Sequence, residues 1–427
     1  MIERKRLIGR RGFLRGTAAA LSALAAPQVI RASALGADGA TPPSDRITMG
    51  FIGVGGQGGG HLAGGAWTYL PGGYLGRPDV QVLAVCDLKP GRLEGAKATV
   101  EKRYAERIQA GSYKGCAAYR DFRELLARDD IDAVLIATNP PNLHAMITMM
   151  AAKAGKDVYC EKPTAGTIHE SRAMVEAVQR YGRVFQAGTQ QRSEYEGRYR
   201  RATELVRNGA LGELKSVYTI LGGAGGHVNM HAFGSLPDGS DPDLLGVQTI
   251  KAASGGYPNW EQHHYDCAQW GIDGDRTGPI EIYREPGGPM VLRYASGVLV
   301  HCAPPPDGQF RFSGAVVFVG TEGTINVGRE GLIADPPSIL DKTIGPDGKH
   351  VYYSDSHSGN FLQCIRTRQL PICDVETAHR AMSMILLAGI GGQLGRRLRW
   401  DPAKEQFIGD DEANRMLAVV ARPPWRI

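Results

Sequence analysis

An apolar run that closes directly onto glycines at fixed spacing constrains this chain most. Residues 46–62 read RITMGFIGVGGQGGGHL. Ile47 to Ile52 has the continuous apolar character of a strand buried on both faces, as in a parallel sheet. Gly53, Gly55 and Gly58 follow in G-x-G-x-x-G spacing. The first glycine permits a tight turn and the second admits a pyrophosphate against the backbone. The third lets the next helix pack on the strand with its amino end toward the phosphates. A strand before the loop and a helix-competent segment after it supply the context this fingerprint needs. Gly53, Val54, Gly55, Gly56, Gln57 and Gly58 are therefore candidate dinucleotide contacts.

A second strand, Gln81 to Cys86, ends on Asp87. A carboxylate there accepts hydrogen bonds from both ribose hydroxyls and repels a 2′-phosphate, which favours NAD over NADP. Lys89 and Arg92 are near enough in sequence to meet a phosphate, and the alternative for Asp87 is a cap on the segment after Pro90. The interval from Gly58 to Asp87 exceeds the usual ~20 residues. A loop inserted after the first helix, AGGAWTYLPGGYLGRP, accounts for the excess.

The alternation continues with helices over 91–107 and 121–127, a strand Ala133–Ala137, a helix His144–Ala154 and a strand Asp157–Cys160. Thr167 and Glu170 form a capping box for a helix whose apolar face is Met174, Val178 and Tyr181, and Val184–Ala187 is a further strand. Strand and helix in turn predict an α/β chain with a doubly wound parallel sheet. Ligands bind at the carboxyl ends of such strands. That places Thr138, Asn139, Pro140 and His144 after one strand, Glu161 and Lys162 after the next, and Gln190 after the last. Oxidising an alcohol needs a hydride acceptor and a group that takes the hydroxyl proton. A partly desolvated lysine beside a cationic nicotinamide has its ammonium form disfavoured and relays a proton near neutral pH. Lys162, followed by the backbone-fixing Pro163, fits that part, although a bare Glu-Lys-Pro is equally a surface ion pair.

Residues 1–34 have the charged start, the weakly apolar run (Thr17 to Ile30) and the small-residue end (Ala32-Ser33-Ala34) of an export signal. RRGFLR resembles the twin-arginine consensus of proteins that fold before export, so a periplasmic protein is expected; an uncleaved anchor or basic tail is the alternative. Residues 1–34 carry seven Lys/Arg and one acid, a net +6 against +5 for the whole chain, so the remainder is near −1. No basic stripe remains, and neither a nucleic-acid partner nor a membrane association after signal removal is expected. Residues 35–46 read as a flexible leader. The seven cysteines include no CxxC pair, and Cys86 and Cys160 read as buried strand residues. The length beyond the leader predicts two domains.

Further motifs follow in order: ATNPPNLH (137–144), EKP (161–163), AGTQQR (187–192) and HHYDCAQW (263–270). With the glycine loop, this set resembles the glucose–fructose oxidoreductase, inositol dehydrogenase and rhizopine catabolism family, Gfo/Idh/MocA. FLQCIRTRQLPICDVETAHRA (361–381) through RLRWDPAKEQF resembles its exported branch. The resemblance implies a dinucleotide-binding Rossmann domain over 47–192. It also implies an α+β domain over 193–427 with a large, open, mostly antiparallel sheet. Strand candidates there are Leu214–Leu221, Ile280–Tyr283, Met290–Tyr294, Val298–Cys302 and Ala315–Val319. The outer face of such a sheet makes the interface of a homo-oligomer, a dimer or tetramer, and its inner face lines the cleft.

In the family the EKP lysine works with an aspartate and a histidine four residues later. Lys162 and His263 carry over as catalytic candidates, while the aspartate position holds Asn259, leaving Glu261 or Tyr265 as helpers. Substrate contacts implied are Lys162, Gln190, Arg192, His227, Asn259 and His263, with Asn229 and His231 in the loop GGHVNMHAF (225–233). A hydrogen-bonded core histidine is the alternative for His263, and His264 is expected to face away on the same helix. His227 and His231 have metal-ligand spacing if helical, but no third ligand is evident and no metal is expected. Three functions stay open. The first is a periplasmic oxidoreductase acting on a sugar, glycoside or cyclitol with tightly bound NAD. The second is an NAD-dependent enzyme that cleaves glycosides by oxidation, elimination and reduction. The third is a non-catalytic sugar- or nucleotide-binding protein.

Overall fold

The buried apolar runs read from the sequence pair side by side. Strands β1 (Ile47–Ile52), β2 (Val80–Cys86), β3 (Ala117–Tyr119), β4 (Ala133–Ile136), β5 (Asp157–Cys160) and β6 (Phe185–Ala187) form one sheet in the order β3-β2-β1-β4-β5-β6. Every pairing is parallel. The order reverses between β1 and β4, the switch point where the crevice for a ligand opens. The structure, a computed structural model, describes residues 45–65, 68–138, 143–219, 261–306 and 315–418, with Pro42, Gly308 and Phe312. The expectations for residues 1–34, for most of the leader and for Asn139, Pro140, His227, Asn229, His231 and Asn259 lie outside the described residues.

Helices α1 (Gly56–Ala63), α2 (Pro90–Arg103), α3 (Ala105–Gln109), α4 (Phe122–Leu126), α5 (His144–Lys153) and α6 (Ile168–Arg180) connect the strands. The helix read over 91–107 is broken at Tyr104, which is buried and accepts a hydrogen bond from the Val82 amide through its hydroxyl. Strand β3 escaped the sequence reading because three half-buried residues carry no periodic signal. The cap on α6 is present: the Thr167 side chain accepts from the Glu170 amide at 3.0 Å.

A second sheet holds β7 (Leu214–Thr219), β8 (Glu281–Arg284), β9 (Met290–Arg293), β10 (Leu299–His301), β11 (Val316–Gly320), β12 (Gly323–Val327), β13 (Leu332–Asp335), β14 (Leu398–Asp401) and β15 (Gln406–Phe407). Its order is β13-β12-β11-β7-β10-β9-β8-β14-β15, and only β7 with β10 runs parallel. This is the large, mostly antiparallel sheet the resemblance implied.

Helices α7 (Arg198–Arg207), α8 (Glu261–Gly271) and α10 (Val375–Leu394) belong with this second sheet. Two glycines let helices approach it closely: a Cβ on Gly271 would fall 2.2 Å from the Phe318 ring, and one on Gly391 2.6 Å from Ile282. Helix α9 (His357–Thr367) instead lies against the parallel sheet, where Phe361, Leu362 and Cys364 share a core with Met49, Val82 and Tyr159. A short helix α11 (Asp411–Arg415) follows. Arg172 of α6 bonds Glu376 of α10 at 2.7 Å and Glu405 at 2.5 Å, tying the two layers at their seam. No described helix is long and apolar enough to cross a membrane.

The glycine turn is the tightest point. Gly53 has φ +85°, and a Cβ on Gly58 would sit 1.8 Å from the Gly53 carbonyl oxygen, whereas one on Gly56 would meet nothing within 4 Å. Gly58→Ala is therefore expected to unfold or grossly destabilise the protein, while Gly56→Ala stays within about 1 kcal/mol of the parent. Thermal and urea unfolding of the two variants check the contrast.

Candidate active site

The carboxyl ends of β1, β2, β4, β5 and β6 converge above the switch point. At β1, helix α1 begins without an acidic residue in its first turn and without a side-chain cap, so its first amides are free to meet an anion. The open space over Gly56 fits a dinucleotide phosphate there. The Arg92 guanidinium leans over Gly55, with Nη1 2.8 Å from where a Cβ would stand. Asp87, at the end of β2, accepts from the Val54 amide at 3.0 Å and from the Lys89 amide at 2.9 Å. Its carboxylate thus pins the glycine loop to the turn after β2, while helix α2, from Pro90, has no side-chain cap.

The end of β5 holds Lys162, the expected proton carrier. Lys162 is held by burial to a pKa of about 8, against which the Glu161 carboxylate pulls upward and Arg329 pushes further down. Glu161 does not face outward as a cofactor contact. It is buried, and its Oε1 accepts from His61 Nε2 at 2.8 Å, Gln190 Nε2 at 2.9 Å and Gln57 Nε2 at 3.3 Å. Burial alone would raise this carboxyl. The bond to His61, with Lys162 and Gln57 nearby, outweighs it and holds the group below its usual range.

Several residues expected to touch ligand lie beneath the lysine instead. Gln190 is buried and also donates to the Tyr159 hydroxyl at 3.0 Å. Buried His144 places Nδ1 2.8 Å from the Pro163 carbonyl and Nε2 3.2 Å from the Thr138 carbonyl, bracing the loops after β4 and β5; burial pushes its pKa down. Arg192 is the clearest correction. Its side chain is 1% exposed, forked onto Asp266 (2.7 and 2.8 Å), paired with Asp275 (2.8 Å) and placed over the Trp270 ring at 5.0 Å. A guanidinium so committed holds α8 against the turn after β6 and is withdrawn from substrate.

Helix α8 brings its histidines to Lys162 through a contact the sequence reading missed. Gln262 accepts from the Thr164 amide at 3.0 Å and donates to the Thr164 hydroxyl at 3.1 Å. The neighbouring His263 is buried, and burial, Lys162 and Arg329 push its pKa well down, so it serves as a neutral imidazole. His264 is buried and lowered to about 3 by burial, Arg329 and Lys162, and neither of its ring nitrogens has a hydrogen-bond partner among the described residues. Arg329, in the turn after β12, was also missed; its guanidinium lies 5.2 Å from the Tyr195 ring centre. The inserted loop reaches the same neighbourhood, where the Tyr69 and Tyr195 hydroxyls touch and their rings stand edge to face at 5.2 Å.

Among the described residues one further group has metal-ligand character, Glu376, His379 and Glu405, with ligand atoms within 4.8 Å of one another. Arg172 and Arg380 already pair with both carboxylates, and His379 bonds Glu405 at 2.7 Å and Ser171 at 2.9 Å, so the cluster is a closed ion-pair network.

Comparison with known proteins agrees with this architecture. Residues 47–189 match the Gfo/Idh/MocA family described as an oxidoreductase family with an NAD-binding Rossmann fold, and residues 311–427 match its C-terminal alpha/beta domain. A glycosyl hydrolase family 109 protein from Bacteroides thetaiotaomicron is 38% identical over 130 residues, 30% of this chain and 25% of that protein. Inositol 2-dehydrogenase from Salmonella paratyphi B is 33% identical over 168 residues, 39% of this chain and 43% of that one. The matched segments thus span well under two thirds of either relative. The WlbA dehydrogenase of Bordetella pertussis, solved with NADH and UDP-GlcNAcA, shares the fold with a TM-score of 0.58 and 17% identity, over 83% of this chain and 99% of that chain.

The buried Arg192 pair yields a direct check. Arg192→Met leaves Asp266 and Asp275 without their cation and is expected to cost about 3–5 kcal/mol of stability. Urea unfolding measures this loss; a variant that unfolds like the parent and differs only in KM would return Arg192 to the substrate site.

Proposed function

The chain belongs to the Gfo/Idh/MocA oxidoreductase family, and on that premise we propose that it moves a hydride between a hydroxyl-bearing carbon of a sugar, glycoside or cyclitol and a tightly held NAD. The observation that carries the reading is the lysine: a half-buried side chain whose amine is lowered to about 8 by desolvation, at the carboxyl end of β5 beside the switch point of a parallel sheet. The glycine loop, Asp87 and Arg92 would hold the dinucleotide, which when bound supplies the hydride acceptor.

Lys162 takes the hydroxyl proton at Nζ during oxidation and returns it during reduction. His263, kept neutral by burial and by the charges of Lys162 and Arg329, orients the reacting hydroxyl rather than carrying charge. The twin-arginine stretch supports folding around the cofactor before export and work in the periplasm, where free NAD is scarce. Assembly into a homo-oligomer through the outer face of the second sheet belongs to the same reading.

The likeness to glycosyl hydrolase family 109 proteins favours a second reading on the same residues. There, oxidation is transient, an aglycone is eliminated and the product is reduced again, with no net redox change. Incubating the mature protein with a panel of sugars, cyclitols and aryl glycosides separates the two. Accumulating NADH and ketone supports the first, and released aglycone without NADH supports the second. An exported protein that yields no nucleotide on denaturation and has no measurable NAD affinity would overturn both.

The lysine sets a pH dependence. Its neutral form is the proton acceptor, so kcat/KM for oxidation is expected to rise with pH, with a midpoint near 8, and to level above it. Lys162→Ala is expected to lower kcat by on the order of 10²–10⁴ while bound nucleotide persists. Steady-state kinetics over pH, with nucleotide content of each preparation, check both.

A further inference from the structure

Helix α1 opens at the glycine loop and, one turn on, buries a histidine that the proposed mechanism does not use. His61 is fully buried. Its Nε2 lies 2.8 Å from Glu161 Oε1, while Nδ1 has no hydrogen-bond partner among the described residues. An ionised carboxylate only accepts, so Nε2 carries the proton and donates it. The carboxylate is enclosed as well as bonded: a Cβ on Gly188 would fall 2.6 Å from the same oxygen. Its other oxygen lies 3.3 Å from the Lys162 amide, so Glu161 is turned beneath the lysine's own backbone.

We propose that His61 is a positioning residue: it draws the Glu161 carboxylate down beneath the strand end and so keeps it from pairing with the Lys162 ammonium. This rests on the reading of Lys162 as the proton carrier. Glu161 and Lys162 are adjacent, and a carboxylate free to rotate takes the nearest cation, which would hold the lysine protonated. Of the three side-chain donors to Glu161 among the described residues, His61 is the nearest, at 2.8 Å; it is carried by the helix of the glycine loop, which also sends Gln57 to the carboxylate at 3.3 Å, while Gln190 reaches it at 2.9 Å from the turn after β6. The loop that would receive the cofactor and the side chain that would move the proton are thus joined through Glu161.

The groups around this pair come from every packed element. Facing Lys162 are Glu161, Arg329 from the turn after β12 and His263 and His264 from α8. Facing Glu161 are His61 from α1, Tyr159 from β5, Tyr74 from the inserted loop, His144 from α5 and His357 from α9. Burial drives the two tyrosines up and His144 and His357 down, so these four stay neutral; of the titratable groups, His61 is the one hydrogen-bonded to Glu161 and Lys162 the cation that lowers it.

The test reads Lys162 directly, on the full-length protein without substrate. The pH dependence of acylation of the Lys162 amine by a small amine-reactive reagent, followed by mass spectrometry of its peptide, gives a midpoint that needs no turnover. The parent is expected to titrate near pH 8. His61→Phe keeps the ring and removes the donor; the midpoint is expected to rise by about one pH unit, a tenfold gain in proton affinity. His61→Gln, whose amide N–H has similar reach, is expected to restore the parent midpoint. Glu161→Gln removes the carboxylate charge and is expected to lower the midpoint. Adding His61→Phe to Glu161→Gln should then change nothing further, because the coupling passes through the carboxylate.

A folded His61→Phe protein with an unchanged or lowered midpoint overturns the proposal, as does a shift that persists in the Glu161→Gln background. Should His61→Phe fail to fold, His61→Asn, too short to reach Glu161, takes its place with the same expected outcomes. A parent midpoint near 8 in a protein that oxidises none of the panel sinks the functional reading and leaves this test standing.

Discussion

A carboxylate taken out of water must be answered by donors, and Glu161 is the buried charge around which this site is arranged. Its donors come from separate parts of the fold: His61 and Gln57 on the helix after the glycine turn, and Gln190 in the turn after β6. Gly188 is bare where any side chain would strike the carboxylate. Four strand ends are thereby set relative to one another, because His144 bridges the loops after β4 and β5 in the same layer. Lys162, next in the chain after Glu161, is only half-buried, unlike Glu161, His61, Gln190 and His144.

Above that layer the electrostatics run the other way. Arg329 disfavours the charge on Lys162, both side chains being half-buried, and burial together with these two cations keeps the two histidines of α8 neutral. Neutral imidazoles beside an amine of near-physiological pKa are the groups that the proposed proton transfer requires. The strong ion pairs are elsewhere. Arg192 with Asp266 and Asp275 secures α8, and Arg172 with Glu376 and Glu405 secures the seam between layers. Permanent charges position the helices, and titratable ones are left for the cleft.

The parallel sheet was legible because its signals are local. The run Ile47–Ile52, the glycines after it and the carboxylate closing β2 each announce themselves within a few residues. Lys162 was legible for the same reason, as a basic residue just past a strand end. The roles of Gln190, Glu161, His144 and Arg192 were misjudged because sequence places a residue at the mouth of a strand without saying whether its side chain turns up into the cleft or down beneath it. Their partners, His61, Pro163, Asp266 and Asp275, are separated from them by long stretches of chain. Gln262 and Arg329 gave no signal at all. A glutamine before two histidines and an arginine in a glycine-flanked turn acquire meaning only when the second sheet folds them toward the first. His264 was judged by helical phase alone, which cannot register a charge arriving from another element.

Helix α9 supplies Phe361, Leu362 and Cys364 to the core under Met49, Val82 and Tyr159. The parallel-sheet layer therefore lacks part of its own interior until the chain has been synthesised through Cys364. Nascent chains must wait with that apolar face uncovered, and a product truncated ahead of Phe361 is a natural substrate for chaperones and proteases. Synthesis of α9, rather than emergence of the glycine turn, marks the moment at which this layer can close.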